Sequence, residues 1–473
     1  MKREPFLLAG TAFHTPERGR LEVLDGHLFE IGADGRIAGI LAPEDPQFET
    51  KKQLASGSGR LVQLDEGQFL LPGLIDLHIH APQWPQMGKA LDVPLEVWLQ
   101  KYTFPLEAKF ADLDFACEVY SELVDGLLAN GTTTALYFAT VHAPASLALA
   151  RICLQKGQRA LVGKVVMDDP EQCPDFYRDR DAASAVEETR SFIEAVRELD
   201  RSERPLVQPV ITPRFIPSCT DEALKGLGDL ARRYGCHVQT HCSESDWAKE
   251  FVETRCGRSD ASSLDGFGLL TRHTILAHSN FIDGQDMDLI QARGAGIAHC
   301  PLSNFYFANA VFPLRTALER QMHVGLGTDV SGGYSPSLFD GCRHAMSASR
   351  TQQSGVHAHL PPQERGARGE PINHQEAFWL ATAGGAEALD LPTGSFRPGH
   401  EFDALLLDTR AAASNIGIRQ GEDTAEDIFQ KIVLNATRAN VASVWVSGRK
   451  SELRGRPTDP ASATALPPLG RAS

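Results

Sequence analysis

From Pro72 to Gly394 the sequence alternates between short apolar runs and longer amphipathic stretches. The apolar runs have the length of buried strands, and the stretches between them are long enough for helices, a pattern typical of parallel strands joined by helices. The runs predict eight strands, at 74–80, 133–138, 161–166, 206–210, 237–241, 274–278, 296–299 and 324–327. Eight β/α units over this length predict an α/β fold, a distorted (β/α)8 TIM barrel.

The two ends of the chain have a different pattern, in which short strand-like runs are separated by turn residues. The pairs Asp25-Gly26 and Asp34-Gly35 lie between such runs and predict hairpin turns. The runs lie at 21–24, 28–31, 37–40 and 403–408, with a further hairpin at 444–449. We predict that residues 1–71 and 395–450 build one small β-sandwich-like domain, while residues 72–394 form the barrel.

Two polar segments show neither pattern. Residues 352–370 predict a long loop, and residues 451–473, rich in proline, alanine and serine, predict a disordered tail. No segment is apolar enough to span a bilayer, and the apolar run after Met1–Pro5 is too brief for a secretory signal.

The composition is that of a globular protein and excludes one class of partner. The chain has 473 residues, 42% of them hydrophobic, which is ample for a large core. Its net charge of −15 argues against binding a nucleic-acid backbone, which requires a basic surface. We interpret the negative charge as a property that keeps the protein soluble. The nine cysteines show no CxxC spacing, so we expect free thiols and a cytoplasmic, reducing location.

A His-Ile-His sequence, with His78 and His80, ends the first predicted barrel strand. Because side chains alternate along a strand, both imidazoles lie on the same face and provide half of a metal site. Active sites of such barrels lie at the carboxyl ends of the strands. The fifth, sixth and eighth strands end at His241, His278 and Asp329, so we expect these side chains to converge. Nitrogen and oxygen donors without a thiolate suit Zn²⁺ or Fe²⁺.

Glu244 lies three residues after His241, in the loop that follows the fifth strand. A hydrolase needs a group that carries a proton from the attacking water to the leaving group, and a carboxyl group at the barrel mouth suits that role. Without the adjacent histidine, Glu244 would be interpreted as a solvated loop carboxylate or as a neighbour of a helix N-cap.

We interpret the other candidate ligands near the barrel mouth as structural residues. His299 ends the seventh strand but precedes a turn-like Cys300-Pro301, and Cys242 and Cys300 are interpreted as packing residues. Lys164 is disfavoured as a carbamylated ligand that bridges two metals, because the candidate ligands named above already suffice for a single metal. The zinc signature of the cytidine deaminases, a Walker A motif and a complete dinucleotide-binding loop are absent from the sequence.

The run Pro72–His80, with His241, His278 and Asp329, resembles the amidohydrolase superfamily, and the likeness covers nearly all of the chain before the tail. Within the superfamily, further segments resemble the guanine deaminases; they lie at 81–84, 98–105, 212–215 and 328–334. The Pro72–His80 motif is shared across the superfamily. The segments Tyr-Thr-Phe-Pro at 102–105 and Pro-Arg-Phe at 213–215 are more specific to the guanine deaminases.

The resemblance implies hydrolysis of guanine to xanthine and ammonia by a homodimer, with Asp329 as base, Glu244 as proton shuttle and His278 bound to the activated water. It implies one zinc per chain, or Fe²⁺, held by His78, His80, His241 and Asp329. The residues that it implies to contact the purine are Gln83, Trp84, Arg214, Phe215, His241, Glu244 and Asp329. Trp84 stands where the family often has tyrosine.

Two alternatives remain open. One is a deaminase or chlorohydrolase that acts on another heterocycle, such as a triazine, an adenine derivative or a pterin. The other is a non-catalytic scaffold protein with the same barrel. The second is disfavoured, because the sequence retains the complete set His78, His80, His241, Glu244 and Asp329.

Overall fold

The computed structural model describes residues 4–308 and 310–452. Strands in this part of the chain form two sheets. In chain order they are β1 (Phe6–Glu17), β2 (Arg20–Ile31), β3 (Ile37–Leu41), β4 (Leu61–Gln63), β5 (Gln68–Pro72), β6 (Leu74–His80), β7 (Thr132–Phe138), β8 (Arg159–Gly163), β9 (Val165–Val166), β10 (Val207–Pro213), β11 (His237–Cys242), β12 (Thr274–His278), β13 (Gly296–His299), β14 (His323–Leu326), β15 (Ala404–Asp408), β16 (Val441–Val446) and β17 (Arg449–Lys450).

Helices surround the barrel strands and also occupy the loops. They are α1 (Phe48–Gly57), α2 (Leu95–Trp98), α3 (Phe104–Glu107), α4 (Leu113–Ala129), α5 (Ala143–Lys156), α6 (Ala182–Leu199), α7 (Asp221–Tyr234), α8 (Asp246–Cys256), α9 (Asp260–Gly266), α10 (Gly284–Arg293), α11 (Pro301–Ser303), α12 (Leu314–Glu319), α13 (Leu338–Ser354), α14 (Pro362–Arg365), α15 (His374–Leu380), α16 (Ala383–Ala388) and α17 (Ala425–Asn435). Among the described residues no helix is both long and apolar enough to cross a membrane.

Helix α7 illustrates how the local sequence defines the outer layer. The hydroxyl of Thr220 caps its first turn by accepting a hydrogen bond from the backbone N–H of Ala223. Gly235 ends it with a φ of 59°, a left-handed conformation that glycine adopts without strain. Its buried residues recur every three or four positions, so one apolar face packs on the barrel; they are Ala223, Leu224, Leu227, Gly228, Leu230 and Ala231.

The barrel sheet has the strand order β6-β7-β8-β10-β11-β12-β13-β14, with the short β9 beside β10. All of its strand pairs are parallel. The chain immediately after β14 closes the barrel against β6. The backbone N–H of Asp329 donates to the carbonyl of His78 at 2.8 Å, and that of His80 donates to the carbonyl of Val330 at 3.0 Å. The predicted barrel is thus confirmed, and its closure involves three of the predicted ligands, His78, His80 and Asp329.

Apolar side chains fill the inside of the barrel below its mouth, and α16 covers the amino-terminal end. The carbonyl of Leu389, next to α16, lies 3.2 Å from Nε2 of His237, which begins β11. The interior cluster includes Ile75, Leu77, Leu136, Leu161, Val210, Ile275, Ala298, Ala386 and Ala388. With this end filled, the carboxyl ends of the strands remain the accessible mouth.

Both ends of the chain build the second sheet, as predicted. Its strand order is β17-β16-β15-β5-β1-β2-β3, and β4 pairs with β1. A buried ion pair joins it to the barrel: Nε of Arg159, on β8, lies 3.1 Å from Oδ2 of Asp403, which precedes β15. The side chain of Arg159 also donates to the hydroxyl of Ser447 at 2.8 Å.

Several local predictions require correction. Strand β1 was not predicted, and the hairpin expected at Asp25-Gly26 is wrong, because β2 runs through this pair. The register between β1 and β2 shifts opposite the pair, so Asp25-Gly26 forms a β-bulge, in which Gly26 has a φ of 63°. The turn predicted at Asp34-Gly35 does lie between β2 and β3.

Two further predictions differ in extent. The third barrel strand is divided at Lys164 into β8 and β9. The predicted loop at 352–370 begins only after α13, which ends at Ser354, and contains the single turn α14. The predicted tail, apart from residues 451–452, lies outside the described residues.

Candidate active site

The two histidines of β6 face the interior because the strand contains a bulge. Leu77 and His78 together oppose the single residue Leu136 of β7. Leu77 already packs in the apolar interior, so strict alternation would turn His78 outward. The extra residue brings His78 to the inner face, and His80, two residues later, lies on the same face.

The side chains at the predicted strand ends converge on one point. Nε2 of His78 lies 3.2 Å from Oδ1 of Asp329, and Nε2 of His80 lies 3.6 Å from the same oxygen. The Nε2 atoms of His80 and His241 are 3.1 Å apart. Nε2 of His278 lies 3.8 Å from Oδ2 of Asp329. Four imidazoles and one carboxylate therefore surround a common centre.

This donor set fits a divalent cation. The Nε2 atoms of His78 and His278 are buried and have no hydrogen-bond partner within the described part of the chain, and such atoms are costly unless a ligand satisfies them. Burial lowers the pKa of His78, His80 and His241, although the carboxylate of Asp329 opposes this for His78 and His241. Neutral imidazoles offer the lone pairs that a metal requires. The ligand atoms of His78, His80 and Asp329 lie within 4.8 Å of one another.

Asp329 is held as a carboxylate in a strained backbone conformation. Burial alone would raise its pKa, but the neighbouring His78 and His278 bring the pKa down to about 2. Its φ of 50° lies in the left-handed region, which is unfavourable for a residue other than glycine and is common at functional sites. A Cβ atom at Gly332 would lie 2.9 Å from Oδ2 of Asp329, so the glycine leaves room for the carboxylate.

Two of the imidazoles are oriented through their Nδ1 atoms. Nδ1 of His241 lies 2.6 Å from the carbonyl oxygen of Arg214. Because a carbonyl only accepts, Nδ1 carries the proton, and the lone pair of His241 lies on Nε2, toward the cluster. Nδ1 of His278 lies 2.9 Å from Oδ1 of Asn304, which directs its Nε2 toward the cluster in the same way.

A cavity lies above the cluster and opens to solvent at the barrel mouth. Its walls combine polar groups with aromatic and aliphatic surface; they are formed by His80, Gln83, Leu95, Trp98, Leu99, Arg214, Phe215, His241, Glu244, Phe307, Asp329 and Gly332.

Arg214 is the one cationic side chain among these wall residues, and a carboxylate holds it. Nη1 and Nη2 of Arg214 donate to the two oxygens of Glu107 at 2.7 and 3.2 Å. The ring centre of Phe104 lies 5.0 Å from the guanidinium carbon. Nε2 of Gln83 also donates to Glu107, at 2.8 Å. Gln83 and Arg214 are therefore fixed by a common partner.

Glu244 lies between the cluster and the cavity. Its Oε1 is 3.6 Å from Nε2 of His278. Burial raises the pKa of Glu244, and the nearby carboxylate of Asp329 adds to this, while His278 opposes it. A carboxyl group with a raised pKa can both hold and release a proton closer to neutral pH, as a proton shuttle must.

Trp84 does not reach the cavity, contrary to the prediction. Residues Ala81–Gln86 form a 3₁₀ helix, in which the side-chain alternation of β6 no longer applies. The indole of Trp84 instead lies against Gly126 of α4, where an added Cβ atom would come within 2.7 Å of the ring. The other predicted contact residues all line the cavity; they are Gln83, Arg214, Phe215, His241, Glu244 and Asp329.

The residues interpreted as structural lie outside the cluster. Lys164 is fully buried and pairs with Asp179. His299 is buried with its ring centre 5.3 Å from that of Phe312. Cys242 packs in the apolar layer between strands and helices. These contacts agree with packing and pairing roles.

Sequence reasoning missed Glu107, which fixes two residues of the cavity wall, and part of the wall itself. This residue lies in the single turn α3, within a long segment of short helices between β6 and α4. Two residues earlier ends the 98–105 segment that resembles the guanine deaminases, which was the available signal. The missed lining residues are Leu95, Trp98, Leu99, Phe307 and Gly332.

Comparison with known proteins agrees with this site. Residues 69–450 match the model of the amidohydrolase family. The chain is 40% identical to a probable guanine deaminase of Schizosaccharomyces pombe, over 94% of this chain and 82% of the relative. It is 36% identical to the guanine deaminase of Dictyostelium discoideum, over 94% of this chain and 97% of the relative.

A solved structure gives the same result. The guanine deaminase of C. acetobutylicum, crystallised with guanine bound in its active site, superposes with a TM-score of 0.84 at 28% identity, covering 95% of this chain and 100% of that one. The chain therefore belongs to the amidohydrolase family and, within it, to the family of the guanine deaminases.

Proposed function

We propose that this protein hydrolyses guanine to xanthine and ammonia. The observation that carries the proposal is a cluster of neutral imidazoles and one carboxylate at the base of a cavity that has Arg214 and Gln83 in its wall. The similarity to guanine deaminases over most of the chain supports the same reaction.

The metal site is proposed at His78, His80, His241 and Asp329, with zinc as the metal and Fe²⁺ as the alternative. When bound, the ion supplies Lewis-acid chemistry that makes water acidic near neutral pH. The rigid backbone of β6 and β11 and the Nδ1 contact of His241 hold the ligand atoms in place without the ion. The pKa of about 2 keeps Asp329 ionised at neutral pH, as a carboxylate that binds a cation must be.

The substrate is held by groups that match an oxopurine. Arg214 and Gln83 direct polar groups into the cavity, where they can bind the 6-oxo group, which adenine lacks. Phe215, whose ring centre lies 6.2 Å from that of His241, offers an aromatic face for the flat ring. A site built to pair a polar group discriminates strongly against analogues without it.

Two carboxyl groups, those of Asp329 and Glu244, accept and donate the protons of the reaction. Asp329 takes a proton from the water whose oxygen forms a bond to C2 of guanine. Glu244 donates its proton to N3 and then receives the proton that Asp329 took from the water. It passes this proton to the exocyclic nitrogen, so that the C2–N bond breaks and ammonia leaves. The proton of the new hydroxyl group at C2 returns to Glu244 as the C2 carbonyl of xanthine forms. His278 lies between these carboxyl groups, with Nε2 3.6 Å from Glu244 and 3.8 Å from Asp329, where it can orient the attacking water.

The test is release of ammonia from guanine by the purified protein, with metal content measured on the same sample. We expect stoichiometric formation of xanthine and one metal ion per chain. A panel with adenine, a pterin and a triazine distinguishes the alternative substrates, and turnover of one of these in preference to guanine would refute the proposal. A metal-loaded protein that turns over none of them would support the scaffold alternative.

We further propose three properties that the site geometry does not address. They are a homodimer, a cytoplasmic location and a domain division at residues 72 and 394. The absence of disulfides among the nine cysteines, all of which are described, supports a reducing compartment. Mass measurement in solution tests the homodimer, and a size of one chain would refute it.

A further inference from the structure

The amide of Gln83 has only one orientation compatible with its neighbours. Its Nε2 lies 2.8 Å from Oε1 of Glu107, and its Oε1 accepts hydrogen bonds from the backbone N–H and the hydroxyl of Ser331 at 3.2 and 3.4 Å. A carboxylate only accepts, and a backbone N–H only donates. The reversed amide would place oxygen against the carboxylate and nitrogen against the N–H. The contacts with Glu107 and Ser331 therefore define the positions of Oε1 and Nε2 of Gln83.

Gln83 consequently presents a donor to the cavity. Both acceptor positions of its Oε1 are used by Ser331, and one hydrogen of its Nε2 is used by Glu107, which leaves the second hydrogen. Arg214 also presents donors, because a guanidinium has five N–H groups and no acceptor, and only two of its nitrogens are engaged by Glu107. The polar wall formed by these two residues thus contains donors alone.

Glu107 is the residue that connects both side chains. It is fully buried, at 0% exposure, and its two oxygens accept three hydrogen bonds from Arg214 and Gln83. A buried charge of this kind is tolerated because Arg214 neutralises it. Glu107 itself does not line the cavity, so its effect on a substrate must pass through its two partners.

We propose that Glu107 is a positioning residue that selects purines with an oxygen at C6, by fixing Gln83 and Arg214 as donors. This inference rests on the proposed function and deepens it. Guanine presents two acceptors, O6 and N7, along one edge, whereas a 6-amino purine presents a donor beside N7. An amino group at C6 would face the N–H donors of Gln83 and Arg214 and would leave these buried donors without an acceptor.

The test compares guanine with 2,6-diaminopurine, which has the same 2-amino leaving group but has an amino group at C6 and, unlike guanine, no hydrogen on N1. Glu107→Gln removes the carboxylate that requires an N–H of Gln83, so one of the two contacts that fix the Gln83 amide is lost and its reversal becomes less costly. We expect kcat/KM for guanine to fall at least about tenfold, and the ratio of guanine to 2,6-diaminopurine to narrow by at least about tenfold, with metal content unchanged. Loss of folded protein alone would lower the activity toward both substrates by the same factor and leave their ratio unchanged.

Two further variants complete the design. Glu107→Asp keeps the charge opposite Arg214 but is too short to hold both partners, so it is expected to narrow the ratio even if Glu107→Gln does not fold. Glu376→Gln is the matched control, because Glu376 is a buried carboxylate that accepts from both Nη atoms of Arg315 away from the cavity. It is expected to keep the wild-type ratio.

The outcomes separate the two hypotheses. A folded, metal-loaded Glu107 variant with the wild-type ratio of guanine to 2,6-diaminopurine would overturn the role of Glu107. A wild-type protein that releases no ammonia from guanine would overturn the proposed function instead, before any variant is measured.

Discussion

The backbone carbonyl of Arg214 accepts a hydrogen bond from Nδ1 of His241 at 2.6 Å. The same residue directs its guanidinium into the cavity wall. One residue thus orients a candidate metal ligand through its backbone and faces the substrate through its side chain. The two functions are separable by mutation, because a side-chain substitution leaves the carbonyl in place.

Arg214→Lys is expected to lower kcat/KM for guanine by about a hundredfold while the metal content stays at the wild-type level. Lysine keeps the charge opposite Glu107 but lacks the planar fork that donates to two acceptors. Steady-state kinetics with metal analysis checks this. Arg315→Lys, at the ion pair with Glu376, is the control for general destabilisation. Loss of metal from Arg214→Lys would show that the two functions are not separable.

His78→Gln is expected to abolish metal binding and activity, because it removes one imidazole of the cluster. His299→Gln is the matched control, since His299 is also a buried histidine at a strand end but lies outside the cluster. Metal analysis should give about one ion per chain for the control. A chelator is expected to lower the melting temperature of the wild type, because bound metal stabilises only the folded state, and added Zn²⁺ is expected to restore it. Full metal content in His78→Gln would exclude His78 as a ligand.

Glu244→Gln is expected to lower kcat about 10²- to 10⁴-fold with metal and guanine binding retained, because an amide cannot carry the transferred proton. Glu253→Gln, on α8, is the control, since Glu253 pairs with Lys249 in an exposed contact. Single-turnover kinetics measures the chemical step directly. A near-normal rate in the metal-loaded Glu244 variant would assign the proton shuttle to another group.

The convergence of the candidate ligands could be predicted from the sequence because it depends on regular elements. Parallel strands place their carboxyl ends together, so His241, His278 and Asp329 could be assigned to one mouth from the strand pattern alone. The alternation of β6 predicted correctly that His78 and His80 share a face. It could not predict which face, because the bulge at Leu77 reverses the alternation within the strand.

The irregular segments escaped prediction for a physical reason. Trp84, which the resemblance implied to contact the purine, lies in the 3₁₀ helix after β6, where strand periodicity gives no direction for a side chain. Glu107 lies in a single helical turn and is defined by a partner, Arg214, that is 107 residues away. Neither position has a local pattern that indicates its contacts. Strand β1 was missed because its buried face includes polar His14 and Thr15, which interrupt the apolar alternation.

His14 predicts that the fold loses stability in mild acid. Its ring is buried, and Nδ1 accepts a hydrogen bond from the backbone N–H of Phe396. Burial, with smaller effects of the nearby Arg397 and His400, lowers the pKa of His14 from 6.5 to about 3. Between these values the unfolded chain binds a proton that the folded protein does not, so the free energy of unfolding falls as the pH falls below 6.5.

The size of this effect follows from the two pKa values. Going from pH 8 to pH 5, the protonation of His14 in the unfolded chain is expected to cost about 2 kcal/mol of stability. In His14→Asn, whose side-chain oxygen can still accept from Phe396, this part of the loss is expected to disappear. Urea unfolding of both proteins at pH 8 and pH 5 measures the difference. His357→Asn, at an exposed histidine, is expected to follow the wild type. An equal loss in His14→Asn and the wild type would show that His14 does not couple protonation to folding.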